Sequence, residues 1–185
     1  MSDEAALVVV AVLERAGVPY MVVGSLSSNY YGVPRSTKDV DIVIQFDLES
    51  LRALVAELGP NFHLDPQLSV EMVTGMTKNI IELTDTAFKI ELFHLSDDAH
   101  DQERFRRRQR VKLLGQETFL PTAEDVIVTK LRWCLQTSRS KDREDIGAVI
   151  ALQGERLDWD YIQRWCDVHG TREVLEEIRR SLPPA

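Results

Sequence analysis

The stretch Val22–Ile44, VVGSLSSNYYGVPRSTKDVDIVI, decides how this chain is read. An apolar run ends at Gly24-Ser25, and a second β-type run, Val40 to Ile44, follows directly on Asp39. Successive side chains on a strand point to opposite faces, so Asp39 and Asp41 share one face and Val40 takes the other. Two carboxylates this close repel each other and are costly to desolvate unless something neutralises them. A hard divalent cation, which takes oxygen ligands, is the usual neutraliser. Gly24 lets the backbone approach an anionic group closely. Ser25 offers a hydroxyl and N–H groups at the start of a short helix, where phosphate binds well. A phosphate grip beside cation-holding acids is the chemistry of phosphoryl or nucleotidyl transfer.

The remaining composition narrows the classes. The 185 residues suit one domain, or one domain with a small appendage, and are enough to bury a core. No apolar run reaches membrane-spanning length, so no membrane partner is expected. The N-terminus carries acids where a signal peptide needs bases, which points to a cytoplasmic protein. Cys134 and Cys166 lie far apart in helix-like sequence and read as buried hydrophobes rather than a disulfide framework. The four histidines show no ligand spacing. A net charge of −8 repels polyanions, so nucleotide or RNA must be met by local bases and a metal. One basic cluster exists: Arg104, Arg106, Arg107, Arg108, Arg110 and Lys112. It reads either as a phosphate-backbone track or as a charged helix face.

Along the chain, helical spacing over 4–16 stops at Gly17, with Pro19 beyond. Strands are predicted at Tyr20–Val23 and Asp39–Gln45, with a short helix at Leu26–Tyr31 between them. A helix at Leu48–Leu58 ends at Gly59-Pro60. Next come a short extended piece and a helix from Pro66 to about Thr74. Asn79–Leu83 and Ala87–Phe93 read as a hairpin about Thr84-Asp85-Thr86. Asp98–Gln109 reads as a basic helix, followed by strands at Arg110–Leu114 and Thr118–Leu120. From Pro121 the period becomes helical. Thr122-Ala-Glu-Asp125 starts like a capping box, and three more helices follow, at Ser140–Leu152, from Asp158 to Gly170, and after Thr171. The expected organisation is therefore an α+β part, 1–120, and a helical part, 121–185.

Four sets of side chains join the two aspartates as candidates. Glu91 lies on the face of its strand opposite Phe88, Ile90 and Leu92, where it can supply a third carboxylate. A site holding two cations uses such acids. Lys130 falls on the apolar stripe of Ile127, Leu131 and Cys134, a place for a lysine that snorkels or that meets an anion such as a triphosphate. Asp142 and Asp145 are one helical turn apart, and serve either the site or the helix N-terminus. Arg35 and Lys38 flank the aspartate strand and can screen phosphates or simply sit in a solvated loop.

The Gly24-Ser25 and Asp39-x-Asp41 segment resembles the signature of the DNA polymerase β-like nucleotidyltransferase superfamily. Nearly the whole chain is similar to bacterial minimal nucleotidyltransferases of the AbiEii-like group. In that group a helical lysine and a basic-Asp-x-x-Asp motif follow, matched here by Lys130 and by Lys141-Asp142-Arg143-Glu144-Asp145. The group often has Arg where Lys141 stands. The resemblance implies a mixed β-sheet core flanked by helices with a C-terminal helical bundle. It implies Mg²⁺ or Mn²⁺ held by Asp39, Asp41 and Glu91, with Glu91 alternatively the base. It gives NTP as substrate, phosphates held by Gly24, Ser25, Arg35, Lys38 and Lys130, and roles in the site for Asp142 and Asp145. The implied reaction moves a nucleoside monophosphate to a hydroxyl acceptor, RNA or tRNA in toxin-like members, which pair with an antitoxin protein. Transfer to a small molecule such as an aminoglycoside, and a non-catalytic nucleotide-binding module, are the alternatives.

Overall fold

The computed structural model describes residues 2–46, 48–72, 74–136 and 140–183. The chain divides into two compact units, one of residues 1–26 and 36–120, the other of 27–35 and 121–185. No helix among the described residues is long and apolar enough to cross a membrane.

The first unit is built on a six-stranded mixed sheet. Its strands are β1 (Tyr20–Val23), β2 (Asp39–Ile44), β3 (Phe62–Leu64), β4 (Ser69–Val70), β5 (Thr77–Leu83) and β6 (Lys89–His94). The spatial order is β1-β2-β6-β5-β3, with β4 also paired to β5. All pairs are antiparallel except β2–β6, which run parallel. Parallel neighbours need a long crossover, and it is supplied here by α3 (Leu48–Glu57) and the strands after it.

The two sheet faces have different fates because the strands alternate. Val40, Ile42, Ile44, Ile90 and Leu92 are buried in one core with Val9 and Leu13 of α1 (Ser2–Arg15) and Leu51 and Leu54 of α3. On the opposite face Met21, Val23, Val43 and Phe93 pack with Phe105 of α4 (Ala99–Arg107) at one end of the strands. That leaves Asp39, Asp41 and Glu91 on the second face with lesser burial. Asp98 caps α4, its side chain accepting from the backbone N–H of His100 and Asp101. A separate hairpin, β7 (Gln109–Leu113) with β8 (Gln116–Leu120), turns at Leu114, whose φ is 51°.

The helix expected over Pro66–Thr74 is not formed. Ser69–Val70 is a strand paired with β5, Ser69 opposite Lys78 and Val70 opposite Thr77. The turn is closed by the Glu71 N–H donating to the Met76 carbonyl at 2.8 Å, with Gly75 at φ 72°. Leu68, Val70 and Met72 recur at period two, which is the strand period. Glu71 also accepts from the Thr74 N–H and hydroxyl, at 2.7 Å each, which holds the turn.

The second unit contains α5 (Ala123–Gln136), α6 (Ser140–Gln153), α7 (Trp159–His169) and α8 (Arg172–Ser181). Its core joins Val126, Ile127, Leu131, Ile146, Val149, Ile162, Trp165, Leu175 and Ile178. Thr122 caps α5: its hydroxyl accepts from the Asp125 N–H and donates to Asp125 Oδ2, in place of the reciprocal backbone bond of a full capping box. Gly170 ends α7 in the left-handed conformation. Residues 27–35 join this unit, including most of α2 (Gly24–Tyr31). The Tyr31 hydroxyl donates to the Pro121 carbonyl at 2.9 Å, and Gln153 donates to the Tyr31 carbonyl at 2.8 Å. Cys134 and Cys166 are both free thiols.

Candidate active site

The acids of the first unit are assembled by strand register. Asp41 stands directly opposite Glu91 in the parallel β2–β6 pair, and Asp39 opposite Lys89. Residues opposite each other on adjacent strands share a face, about 4.8 Å apart across the ladder. Asp39, Asp41 and Glu91 thus form one carboxylate row on one sheet face. Asp39 lies at the exposed end of β2, where the Thr37 hydroxyl donates to its Oδ1 and its carbonyl, at 2.9 Å each. Asp41 and Glu91 are half-buried.

Gly24 is built against this row. Val23 pairs with Asp41 in the β1–β2 ladder, and Gly24 follows with φ 63°. A Cβ placed on Gly24 would lie 1.9 Å from Asp41 Oδ2, an impossible contact. Only glycine meets both demands, a left-handed backbone and a carboxylate pressed against its Cα. Ser25, the second residue of α2, is half-buried beside it. A helix start therefore touches the acid row, the place where a group with both cation and phosphate would sit. Gly24→Ala is expected to displace Asp41 and to add about 1–2 kcal/mol of left-handed strain. Titration with Mn²⁺ and thermal melting should show weaker metal binding together with a lower Tm; wild-type values for both would contradict this placement.

Lys78 is the residue that sequence reading missed. It lies on β5 directly opposite Phe93 and diagonal to Glu91. Its Nζ is 2.5 Å from Glu91 Oε2 and 5.2 Å from the Phe93 ring centroid. Nothing in Thr77-Lys78-Asn79 marks it, since the contact depends on the register between β5 and β6.

In the second unit, three buried charged groups and the half-buried Arg35 form one network. Lys130 Nζ lies 2.9 Å from Asp142 Oδ1 and 2.8 Å from Asp145 Oδ2. Asp145 also receives both Arg35 Nε, at 2.9 Å, and Arg35 Nη2, at 2.8 Å. Lys130, Asp142 and Asp145 are each at most 7% exposed, so Lys130 does not snorkel. Burial pushes the Asp145 carboxyl up, but the hydrogen bonds from Arg35 and Lys130 outweigh it and hold the group below the usual carboxylate range. Two cations thus face two carboxylates, with only Arg35 reaching solvent. Asn29 was also missed: its side chain brackets Arg35, donating to the Arg35 carbonyl at 2.7 Å and accepting from its N–H at 3.1 Å. An arginine in a loop gives no hint that both its backbone and its guanidinium are held.

Lys38 is exposed on the loop before β2. The basic cluster does not present all its charge to solvent. Arg104 is buried against Asp101, with Nε 2.8 Å from its carboxylate. Arg108 is laid over the Phe105 ring at 4.2 Å and the Phe119 ring at 5.1 Å. Arg110 pairs with Glu117 at 3.3 Å.

Solved structures share this architecture. The chain is similar to ANT(2'')-Ia, crystallised in complex with adenylyl-2''-tobramycin: 14% identity over 92% of this chain and 99% of that one, TM-score 0.64. An antigenic nucleotidyltransferase-like protein from Paracoccidioides brasiliensis is 18% identical over 98% of this chain and 94% of its own, TM-score 0.57. The lincosamide antibiotic adenylyltransferase LnuA, lincomycin-bound, is 12% identical over 80% and 96%, TM-score 0.52. No family model and no curated protein matches the sequence. The chain shares the fold of these nucleotidyltransferase structures, a mixed sheet flanked by helices.

Proposed function

We propose that this chain is a nucleotidyltransferase that moves a nucleoside monophosphate from an NTP to a hydroxyl acceptor, with pyrophosphate as the other product. The observation that carries the reading is Gly24, whose Cα is pressed against the Asp41 carboxylate at the start of α2. It brings a phosphate-binding helix start and a carboxylate row to one place, as metal-assisted nucleotidyl transfer requires.

The donor set fits a hard cation: three carboxylates on one sheet face supply oxygen ligands only. Asp39, Asp41 and Glu91 would hold Mg²⁺ or Mn²⁺. When bound, the cation neutralises triphosphate charge and lowers the pKa of a coordinated hydroxyl. Gly24 and Ser25 would grip phosphate through the N–H groups of the helix start. Thr37 fixes Asp39. Glu91 either completes the cation site or accepts the acceptor proton. Within the second unit Asp145 ties Arg35 and Lys130 to α6, and Asn29 fixes the backbone of Arg35. Lys38, being exposed, is free to turn toward phosphate. The motif order from Gly24-Ser25 to Asp142 and Asp145 supports the AbiEii-like group as the subgroup.

On this reading the acceptor is a small hydroxylated molecule. The likeness to structures holding adenylyl-tobramycin and lincomycin favours it. So does the withdrawal of Arg104 and Arg108 from the basic cluster, since a polyanion track needs its cations in solvent. The test is incubation with each α-labelled NTP, Mg²⁺, and separate pools of RNA, protein and aminoglycoside or lincosamide. Label in the small-molecule pool supports the reading. Label in RNA, falling with salt and with Arg106→Gln plus Arg107→Gln, would return the acceptor to nucleic acid.

A further inference from the structure

We infer that Lys78 is a built-in stand-in for the cation at Glu91; this rests on the reading of the carboxylate row given above. Three acids on one face need a counter-charge before any metal arrives. Lys78 provides one from within the sheet. Its ammonium is 2.5 Å from Glu91 Oε2, and both side chains are about one-fifth exposed. The Phe93 ring, buried and directly opposite Lys78, lies 5.2 Å from the same nitrogen. The ammonium is therefore held by a carboxylate and by a ring face. Glu91 is at the same time the strand neighbour of Asp41.

This arrangement has a chemical consequence. Glu91 joins a cation site by exchanging an ammonium for a divalent ion, so Lys78 competes with metal in the nucleotide-free protein. Once exchanged, the ammonium stands on the acid-row face with no carboxylate of its own, and a triphosphate is the anion that answers it. Lys78 thus opposes metal binding alone and favours metal with NTP. The pair couples the two ligands: the site fills when both come together.

The experiment measures Mn²⁺ affinity by calorimetry for wild type, Lys78→Gln and Lys78→Arg, each with and without a non-hydrolysable NTP analogue. Without nucleotide, Lys78→Gln is expected to bind Mn²⁺ about tenfold more tightly, the scale of one partly buried charge pair. With Mn²⁺ saturating, the same variant should bind the analogue several-fold more weakly, and Lys78→Arg should stay near wild type in both arms. Circular dichroism confirms that each variant is folded. Unchanged affinities in Lys78→Gln overturn the role of Lys78. Weaker Mn²⁺ binding in that variant also overturns it, since the lysine would then merely support Glu91. Wild-type protein that binds no Mn²⁺, with or without the analogue, overturns the reading of the carboxylate row itself, and this inference with it.

Discussion

Asp41→Asn is expected to lower nucleotidyl transfer by roughly 10²–10³-fold, corresponding to about 3–4 kcal/mol of lost transition-state stabilisation. Asp41 is the middle of the carboxylate row, opposite Glu91 and two residues from Asp39 on the same strand. It is also the acid against which Gly24 is packed. The amide keeps its shape but removes a negative charge that a divalent cation needs. The fold should survive, because relieving repulsion among like charges does not destabilise it. A melting midpoint equal to or above wild type, with transfer lost, is the expected pair of results. Asp39→Asn should lower transfer alike and change stability less, as its carboxylate lies at the exposed end of β2. Calorimetry of Mg²⁺–NTP binding gives the check. Equal affinity in wild type and the double Asn variant contradicts the role of both acids.

Lys130→Met is expected to destabilise the protein by about 3–5 kcal/mol, the cost of leaving buried carboxylates without their cation. For a chain of this size that lowers Tm by roughly 10 °C. Asp142 would lose the ammonium at its Oδ1, while Asp145 would keep Arg35. Lys130→Met combined with Asp142→Asn should therefore recover part of the loss. Asp145 adds a pH signature. Its folded pKa is depressed, so its contribution is present above the unfolded value near 3.9 and is lost as pH falls through the lower folded one. Wild type should lose this stability in acid below about pH 4, and Lys130→Met should show a shallower acid limb. If nucleotide affinity collapses while Tm stays put, Lys130 is a phosphate ligand and its buried pairing is secondary.

Much of this architecture was written locally. Gly17, Gly59-Pro60 and Gly170 end helices, Asp98 and Asp158 cap them, and Asp39-Val40-Asp41 alternates as a strand must. What the sequence could not carry was register. That Asp41 faces Glu91 depends on a parallel pairing across a long crossover, and that Lys78 meets Glu91 depends on a second pairing, β5 with β6. The Pro66–Thr74 stretch carries a helical pattern yet pairs as a strand, because a two-residue strand gives too short a pattern to outweigh apolar residues that also fit a helix. Its period-two exposure at Leu68, Val70 and Met72 became legible only beside β5. Lys130 stood out as a charge on an apolar stripe, but its partners lay twelve and fifteen residues on, in another helix.

The central claim, metal-assisted transfer of the nucleoside monophosphate, is tested most directly by following two labels in one reaction. The protein is incubated with Mg²⁺ and the same NTP labelled at either the α- or the γ-phosphate, with the acceptor pool that takes up label. The account predicts that α-label enters the acceptor, that γ-label leaves in pyrophosphate, and that both events stop with EDTA or with Asp41→Asn. Label reaching the acceptor from the γ-position, or transfer that persists without a divalent cation, would contradict it.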